Sequence, residues 1–328
     1  MKIIVATDSF KGCLSSQNIG LIIQHALHDE IPNAQVDVIP MSDGGEGFVD
    51  SIVFATQGKK VPVQVKGPFG DSIVAYYGIL GDGKTIAIEV AQIVGLYQIS
   101  RDQLAPLDAT SFGIGEVMLH ALDRGYRKFI FGLGGSATND GGIGMLQALG
   151  GMFLDEHGKQ VEPTAKGVSK VAELMLEGLD PRIGQSELVI ACDVVNSLCG
   201  MNGATAVFGP QKGVREEEIE ALDQSLEKFA LLIEQKKNAT FKDLPGAGAA
   251  GGLGFALLSM QASMRSGAEI VSELVGYQIN AKRQIGSLQG RGAVMNKPSL
   301  EKSQCLWRRP QNSFVLTPFL YREALIAG

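Results

Sequence analysis

The feature that most constrains the fold is a repeated order near the start of the chain: an apolar run, a glycine-containing loop, then a helical stretch. Lys2–Ala6 and Val36–Ile39 are short runs rich in β-branched residues, typical of buried parallel strands. Each is followed by a loop with glycine and then by apolar residues at helical spacing. This order predicts a doubly wound parallel sheet of the flavodoxin or Rossmann type.

The pattern changes after residue 60, where short alternating runs at Val61–Val65, Ile73–Leu80 and Thr85–Val90 predict an antiparallel meander. Helical and strand patterns alternate again from Phe112 onward. We therefore predict two α/β domains. A discontinuous doubly wound domain comprises residues 1–60 and 275–328, and a mixed α/β domain, residues 61–274, is inserted into it.

Composition narrows the class of protein. The net charge is −6, and no block of Lys or Arg precedes roughly the last fifty residues, which argues against nucleic acid as a partner. No apolar run reaches the about 18 residues of a membrane span, and the start lacks a signal-peptide pattern. The four cysteines have no C-x-x-C spacing, so we expect a protein of the reducing cytoplasm.

Two glycine motifs match nucleotide-binding patterns by letters alone. Gly78–Thr85 fits G-x4-G-K-[ST], but an alternating β-branched run follows where a phosphate loop needs a helix, so we predict a hairpin turn. Gly246–Gly251 fits G-x-G-x-x-G with no predicted strand before it. We interpret this segment as a loop that opens a helix over Leu253–Met264, used either for close packing or for anion contact.

Three other loops combine glycine with reactive side chains. In Asp8–Gly12, Ser9 and Lys11 suit a phosphate or carboxylate, with a capped turn and solvated lysine as the alternative. Asp43–Gly47 places two carboxylates among three glycines, which indicates a metal or hydroxyl site or else an acidic helix cap. Gly134–Gly142 indicates an anion cradle or a structural turn.

Two further segments add polar groups. Cys192–Gly200 follows a predicted strand and supplies the Asp193 carboxylate and the Asn196 amide. Phe208–Gly213 is interpreted as a loop that closes over a ligand, or as a simple turn.

Together these segments resemble the class I glycerate kinases of the glycerate 2-kinase type. Thr7 and Ser197 stand where that family usually has proline. The matching runs follow the family's order up to about residue 280: A-T-D-S-F-K-G at Ala6–Gly12, P-M-S-D-G-G-E-G at Pro40–Gly47, G-L-G-G-S-A-T-N-D-G-G-I-G-M at Gly132–Met145, C-D-V-x-N at Cys192–Asn196, F-G-P-Q-K-G at Phe208–Gly213 and G-A-G-A-A-G-G-L-G at Gly246–Gly254.

The resemblance implies transfer of phosphate from ATP, with Mg²⁺, to (R)-glycerate in the cleft between the domains. The implied product is 2-phosphoglycerate, with 3-phosphoglycerate as the alternative. The implied partners are glycerate and ATP, without nucleic acid or membrane, and both a monomer and a homodimer remain open.

Site residues follow from the same resemblance. We expect Lys11, with Ser9, to neutralise a phosphate or the glycerate carboxylate, and Asp43 or Asp193 to act as base or Mg²⁺ ligand. The amides of Gly134–Asn139 would cradle phosphates. The expected catalytic residues are Lys11, Asp43 and Asp193, and the expected binding residues are Asp8, Ser9, Gly44, Gly45, Glu46, Gly134, Gly135, Ser136, Thr138, Asn139, Asp140 and Asn196.

The resemblance stops near residue 280. The family continues with a motif like T-G-E-G-R-x-D-x-Q-T-x-x-G-K-x-P, whereas Arg283–Gln304 reads differently. If the reading frame is shifted by two nucleotides across Met295–Pro298, the codons of these residues must encode Glu, then Gln or a stop, then Thr or Ala. The same shift permits T-G-E-G across Leu288–Gly292 and G-K-V-P across Leu300–Gln304. We infer a frameshift near residue 280 and expect the residues after it not to pack in this fold.

Two other functions stay open on the sequence. One is a catalytically inactive, frameshifted glycerate kinase homologue, because an incomplete sheet leaves open strand edges. The other is an NAD(P)-dependent oxidoreductase, motivated only by Gly246–Gly251.

Overall fold

A computed structural model describes residues 2–11 and 13–274, and the backbone of 286–293. The helices are α1 (Ser16–Glu30), α2 (Phe48–Thr56), α3 (Val90–Val94), α4 (Phe112–Asp123), α5 (Ile143–Ala148), α6 (Ala165–Val168), α7 (Ala204–Lys212), α8 (Glu216–Lys237), α9 (Leu253–Ser259) and α10 (Gly267–Leu274). The strands are β1 (Lys2–Lys11), β2 (Gln35–Pro40), β3 (Lys59–Lys66), β4 (Ser72–Ile79), β5 (Thr85–Glu89), β6 (Lys128–Gly132), β7 (Met152–Leu154), β8 (Glu173–Met175), β9 (Glu187–Ala191), β10 (Ser263–Arg265) and β11 (Gly286–Ala293).

The chain divides into two compact units, one of Met1–Met41 with Tyr277–Gly328 and one of Ser42–Gly276. The first unit contains a parallel sheet in the order β11-β1-β2. Helix α1 lies on this sheet, and the Ser15 side chain caps its first turn by accepting from the Asn18 amide.

Strand β1 is longer than the predicted Lys2–Ala6, because its parallel pairing with β11 continues to Lys11 after a register shift between Thr7 and Phe10. The pairing also differs from the expectation that nothing after residue 280 packs in this fold. Strand pairing uses backbone groups, which every residue except proline supplies in full, so a changed sequence does not abolish it. The shifted-frame matches at 295–298 and 300–304 lie outside the described residues.

The second unit is built on a mixed sheet in the order β10-β9-β6-β5-β4-β3. Strands β3, β4 and β5 are antiparallel, as the meander predicted, and β5, β6, β9 and β10 are parallel. Because β6 and β9 are parallel neighbours in register from Lys128 to Gly132, their carboxyl ends meet at one edge. The prediction of two α/β units is confirmed.

Helix α2 belongs to the second unit, although the sequence placed residues 42–60 in the first domain. Its side chains Phe48, Val49 and Ile52 are fully buried in one cluster with Ala87 and Ile130 of the mixed sheet. Burial of this apolar face ties the helix to the sheet more strongly than its position after β2 does. The division therefore falls between Met41 and Ser42 rather than after residue 60.

Two other local predictions can be compared with the structure. The turn after β4 is a hairpin, in which the Gly83 amide donates to the Leu80 carbonyl at 2.9 Å, so the phosphate-loop motif is confirmed as a turn. The helix predicted over Leu253–Met264 ends at Ser259, since Gln261 adopts φ +69° and the chain turns into β10. Among the described residues, no helix is long and apolar enough to cross a membrane.

Candidate active site

The loop after β6 is fixed on two sides by main-chain hydrogen bonds. The Gly134 amide donates to the Gly44 carbonyl at 2.9 Å, and the Ala137 amide donates to the Val94 carbonyl at 2.8 Å. These two amides, part of the predicted phosphate cradle, are therefore occupied. Within the described residues, the amides of Gly135 and Ser136 have no such main-chain partner, and Gly135 is exposed.

The loop before α2 lies directly against this one. Gly44 has φ +86°, and a Cβ there would lie 2.0 Å from the Ala191 carbonyl oxygen at the end of β9. A Cβ on Gly134 would lie 2.5 Å from the Gly45 Cα. Only glycine allows approaches this close, so the paired glycines bring the two predicted loops into backbone contact.

The Asp43 and Asp193 carboxylates both act on the Cys192 thiol, which follows β9. Burial raises the pKa of Cys192, and the negative charges of Asp193 and Asp43 raise it further. The two predicted catalytic carboxylates therefore share one neighbourhood. Asp193 is exposed. The Asn196 side chain donates to the Asn202 carbonyl at 2.8 Å, and this bond holds the loop that carries Asp193 and Asn196.

The end of the β6 loop is a buried polar network. The Asp140 carboxylate accepts from the Ser111 amide at 2.8 Å, the Ser111 hydroxyl at 2.7 Å and the Gly142 amide at 3.1 Å. Burial raises the pKa of Asp140. The Asn139 side chain donates to the Thr205 hydroxyl at 3.0 Å. Three predicted binding residues, Thr138, Asn139 and Asp140, are thus fully buried at the end of this loop.

Lys212 is a candidate functional residue that the sequence reasoning did not name among the site residues. The run Phe208–Gly213 was interpreted as a loop, but it forms the end of α7, with Gly213 as its left-handed cap. The Lys212 ammonium donates to the Ser136 hydroxyl at 2.9 Å and to the Thr138 carbonyl at 2.6 Å, and its side chain is buried. Burial lowers the pKa of Lys212 to about 7, which is a perturbation typical of functional sites.

Glu89 is the second missed residue, and it closes the buried strand β5. Its carboxylate accepts from the Gly47 amide at 3.0 Å and from the Val49 amide at 2.9 Å, at the start of α2. Burial raises the pKa of Glu89 to about 7. Because Glu89 accepts from these two amides, Asp43 and Glu46 do not cap them at the start of α2. Glu46 is exposed.

The segment Gly246–Gly254 packs against two site loops. A Cβ on Gly248 would lie 2.2 Å from the Ser197 carbonyl oxygen, and one on Gly251 would lie 2.1 Å from the Thr138 carbonyl oxygen. The Gly251 carbonyl also accepts from the Gly141 amide at 2.9 Å. These contacts favour the close-packing interpretation. Residues 238–248 form no strand, so the dinucleotide motif lacks the strand that it requires.

Asp8, Ser9 and Lys11 lie in the first unit, within β1 rather than in the predicted loop. The prediction of a loop was wrong because pairing with β11 resumes at Phe10. The ladder is irregular between Thr7 and Phe10, and the Ser9 amide donates to the Asp8 carboxylate at 2.7 Å. Irregular strand positions are common beside active sites, and the binding role of these residues stays a prediction.

Known proteins resemble this chain over most of its length. The model of the glycerate kinase family matches residues 3–294. The glycerate kinase of Bacillus subtilis (strain 168) is 45% identical over 279 residues, which cover 85% of this chain and 73% of that protein. The glycerate 2-kinase of Escherichia coli (strain K12) is 43% identical over 279 residues, with the same two coverages, 85% and 73%.

A solved structure agrees with these relatives. The crystal structure of a protein provisionally named glycerate kinase 2, from Salmonella typhimurium LT2, matches with a TM-score of 0.82 and 42% identity. The match covers 89% of this chain and 78% of that one. The resemblance drawn from the sequence motifs is thereby confirmed, and the chain belongs to the glycerate kinase family, a family of phosphotransferases.

Proposed function

We propose that this chain transfers the γ-phosphate of ATP, as its magnesium complex, to the 2-hydroxyl of glycerate. The observation that carries the proposal is the backbone contact between the Asp43–Gly47 and Gly134–Gly142 loops, beside the Asp43 and Asp193 carboxylates. Two features support the choice of substrate and position: the family of the chain, and the name of the Escherichia coli relative, glycerate 2-kinase.

The Gly135 end of the β6 loop would bind phosphate oxygens. Gly135 is exposed, and the amides of Gly135 and Ser136 have no main-chain partner among the described residues. Backbone amides fixed in this way stabilise the charge that develops on a transferring phosphoryl group. The buried residues Thr138, Asn139 and Asp140 would hold the loop in shape and would reach the ligand only through it.

Asp43 and Asp193 suit the base and the metal ligand. Mg²⁺ is commonly held by one or two carboxylates together with substrate phosphates. Within the described part of the chain, His, Cys, Asp and Glu form no group of three or more that could hold a metal ion by themselves. A site that shares its metal with ATP fits this donor set. The bound ion would neutralise phosphate charge.

The proton of the acceptor hydroxyl would pass to the carboxylate that does not bind the metal. The hydroxyl oxygen then forms a bond to the γ-phosphorus, and the bond from that phosphorus to the bridging oxygen breaks, which releases ADP. Gly44 and Gly45 are buried and would act by bringing the Asp43–Gly47 loop against the end of β9 and the Gly134–Gly142 loop. Asp8, Ser9, Lys11, Glu46 and Asn196 are proposed as additional contacts.

A proton-coupled phosphorus NMR assay tests this function. The purified chain is mixed with Mg-ATP and (R)-glycerate, and the product signal is recorded. A phosphate ester on the secondary carbon couples to one proton and gives a doublet, whereas an ester on the primary carbon gives a triplet. A doublet is expected. A triplet would refute the position of transfer, and no ester signal would refute the activity and favour the inactive homologue, which the comparisons do not support.

We also propose that the protein works in the cytoplasm. Its relatives are bacterial enzymes that act on a metabolite, and the described cysteines, Cys13, Cys192 and Cys199, are free thiols. Free thiols fit a reducing compartment.

A further inference from the structure

The contact between Lys212 and Ser136 fixes the direction of one proton. When Lys212 is protonated, its ammonium has three donor hydrogens and no acceptor, so the Ser136 oxygen must then accept in the 2.9 Å bond from Lys212. The serine hydroxyl hydrogen is then left to be donated elsewhere. Without the lysine, the hydroxyl is able to rotate and donate its hydrogen inward.

Ser136 stands next to the exposed end of the loop. Its neighbour Gly135 is exposed, whereas Ser136 itself is buried, and its backbone pairs with Gly95 in an isolated bridge. The backbone at Ser136 is therefore held in place, and the hydroxyl direction is the remaining freedom. The hydrogen bond from the Lys212 ammonium fixes the direction of the Ser136 hydroxyl.

We propose that Lys212 is a positioning residue for phosphoryl transfer: it orients the Ser136 hydroxyl so that this group donates to a phosphate oxygen at Gly135, and it gains a proton when that anion binds. The inference rests on the proposed function and names a group that the function alone does not require. Lys212 touches no substrate in this scheme and acts through the Ser136 hydroxyl.

The surroundings of Lys212 support the coupling to protonation. The ammonium is buried and donates to two neutral oxygens, the Ser136 hydroxyl and the Thr138 carbonyl. Among the described residues, Asp140 is the charged group that acts on Lys212, and it favours the protonated amine. Burial outweighs it and lowers the pKa of Lys212 to about 7. A phosphate at the same loop adds negative charge nearby and favours the ammonium.

A double-mutant cycle tests the positioning role. We expect Ser136→Ala to lower kcat/KM about 100-fold, the scale for one preorganised donor, and Lys212→Met to cost a similar factor. In the Ser136→Ala background, Lys212→Met should cost no more than about threefold, because its route of action is already gone. Ser259→Ala removes another buried serine hydroxyl, which donates to the Ala256 carbonyl at 2.7 Å, and should leave kcat/KM unchanged. Additive losses would overturn the proposal.

Calorimetry supplies a readout that a purely structural role would not move. The magnesium complex of a non-hydrolysable ATP analogue is titrated into the full chain at pH 8, in two buffers with different heats of ionisation. The wild type should take up a proton, roughly one at most, and Lys212→Met should take up none. Absence of uptake by the wild type refutes the proposal even if the variant fails to fold. A wild type that neither binds the analogue nor turns over glycerate refutes the proposed function as well.

Discussion

The substitution Glu89→Gln should change how the stability of the second unit depends on pH. Glu89 holds the amides of Gly47 and Val49 with its two carboxylate oxygens, at 3.0 and 2.9 Å. It therefore connects the end of β5 to the turn that precedes α2. Burial raises the pKa of Glu89 from 4.5 to about 7, which makes the charged form costly in the folded chain.

The sign and size follow from proton linkage. Between pH 4.5 and about 7, Glu89 is ionised in the unfolded chain and protonated in the folded one. The unfolded state then binds fewer protons, so the free energy of unfolding falls as the pH rises. One pKa unit corresponds to about 1.4 kcal/mol, so this group removes on the order of 3 kcal/mol across that window. Above pH 7 its contribution is constant.

Glutamine does not titrate, so the variant lacks this slope. Its side chain has one carbonyl oxygen for two amides, which adds a pH-independent cost of about 1–3 kcal/mol for the amide left unpaired. We therefore expect Glu89→Gln to be less stable than the wild type at pH 5. The difference should shrink by about 3 kcal/mol, or reverse, by pH 8.

Urea unfolding followed by far-ultraviolet circular dichroism at several pH values measures both free energies. Glu234→Gln is a matched control, because Glu234 is another buried carboxylate and accepts from the Phe241 and Lys242 amides at 2.6 and 2.7 Å. Both amides donate to the same oxygen of Glu234, which a glutamine carbonyl can replace, so this control reports the loss of a buried carboxylate without an orphaned amide. If the difference between wild type and Glu89→Gln stays constant from pH 5 to pH 8, the assigned titration of Glu89 is wrong.

Three further outcomes are expected. Gly44→Ala combines φ +86° with a Cβ 2.0 Å from a carbonyl oxygen, whereas the control Gly70→Ala has φ +83° and open space around the Cβ. Gly44→Ala should therefore lower the urea midpoint more than Gly70→Ala does, and its loss of kcat/KM should be at least tenfold greater. Lys212→Met should abolish a rise in the free energy of unfolding between about pH 7 and 10.5, the window in which the unfolded lysine is charged and the folded one neutral, as pH-dependent urea titrations would show. Asp43→Asn and Asp193→Asn should each lower kcat about 100-fold or more. In a Mg²⁺ titration, only the variant that lacks the metal ligand should need a higher Mg²⁺ concentration for half-maximal activity. Equal half-activating concentrations in both variants would contradict the division of roles.

The sequence predicted the parts of the fold that depend on local pattern. The alternating runs at Ile73–Leu80 and Thr85–Val90 became β4 and β5, and the turn between them became a hairpin because the following run is β-branched. The loops at the ends of β6 and β9 were also found, since parallel neighbours in register bring their carboxyl ends to one edge. These features follow from side-chain alternation and from the order of strands along the chain, both of which can be read from the sequence.

The rest depends on contacts between distant segments. Strand β1 extends through Lys11 only because β11 pairs with it, and α2 joins the second unit only because Phe48 and Ile52 are buried against the mixed sheet. Lys212 and Glu89 looked like ordinary charged residues near element ends. Their importance comes from burial, which places a charge where water cannot solvate it, and burial is a property of the assembled chain.

The Gly246–Gly254 segment has a practical consequence for protein engineering. It supports the Thr138 and Ser197 backbones at the same time, through glycines at Gly248 and Gly251 that leave no room for a side chain. A library that varies this segment would disturb both neighbouring loops together and would yield mostly unfolded clones. Efforts to alter acceptor preference should instead diversify the exposed position Val195, where a new side chain has solvent on one side.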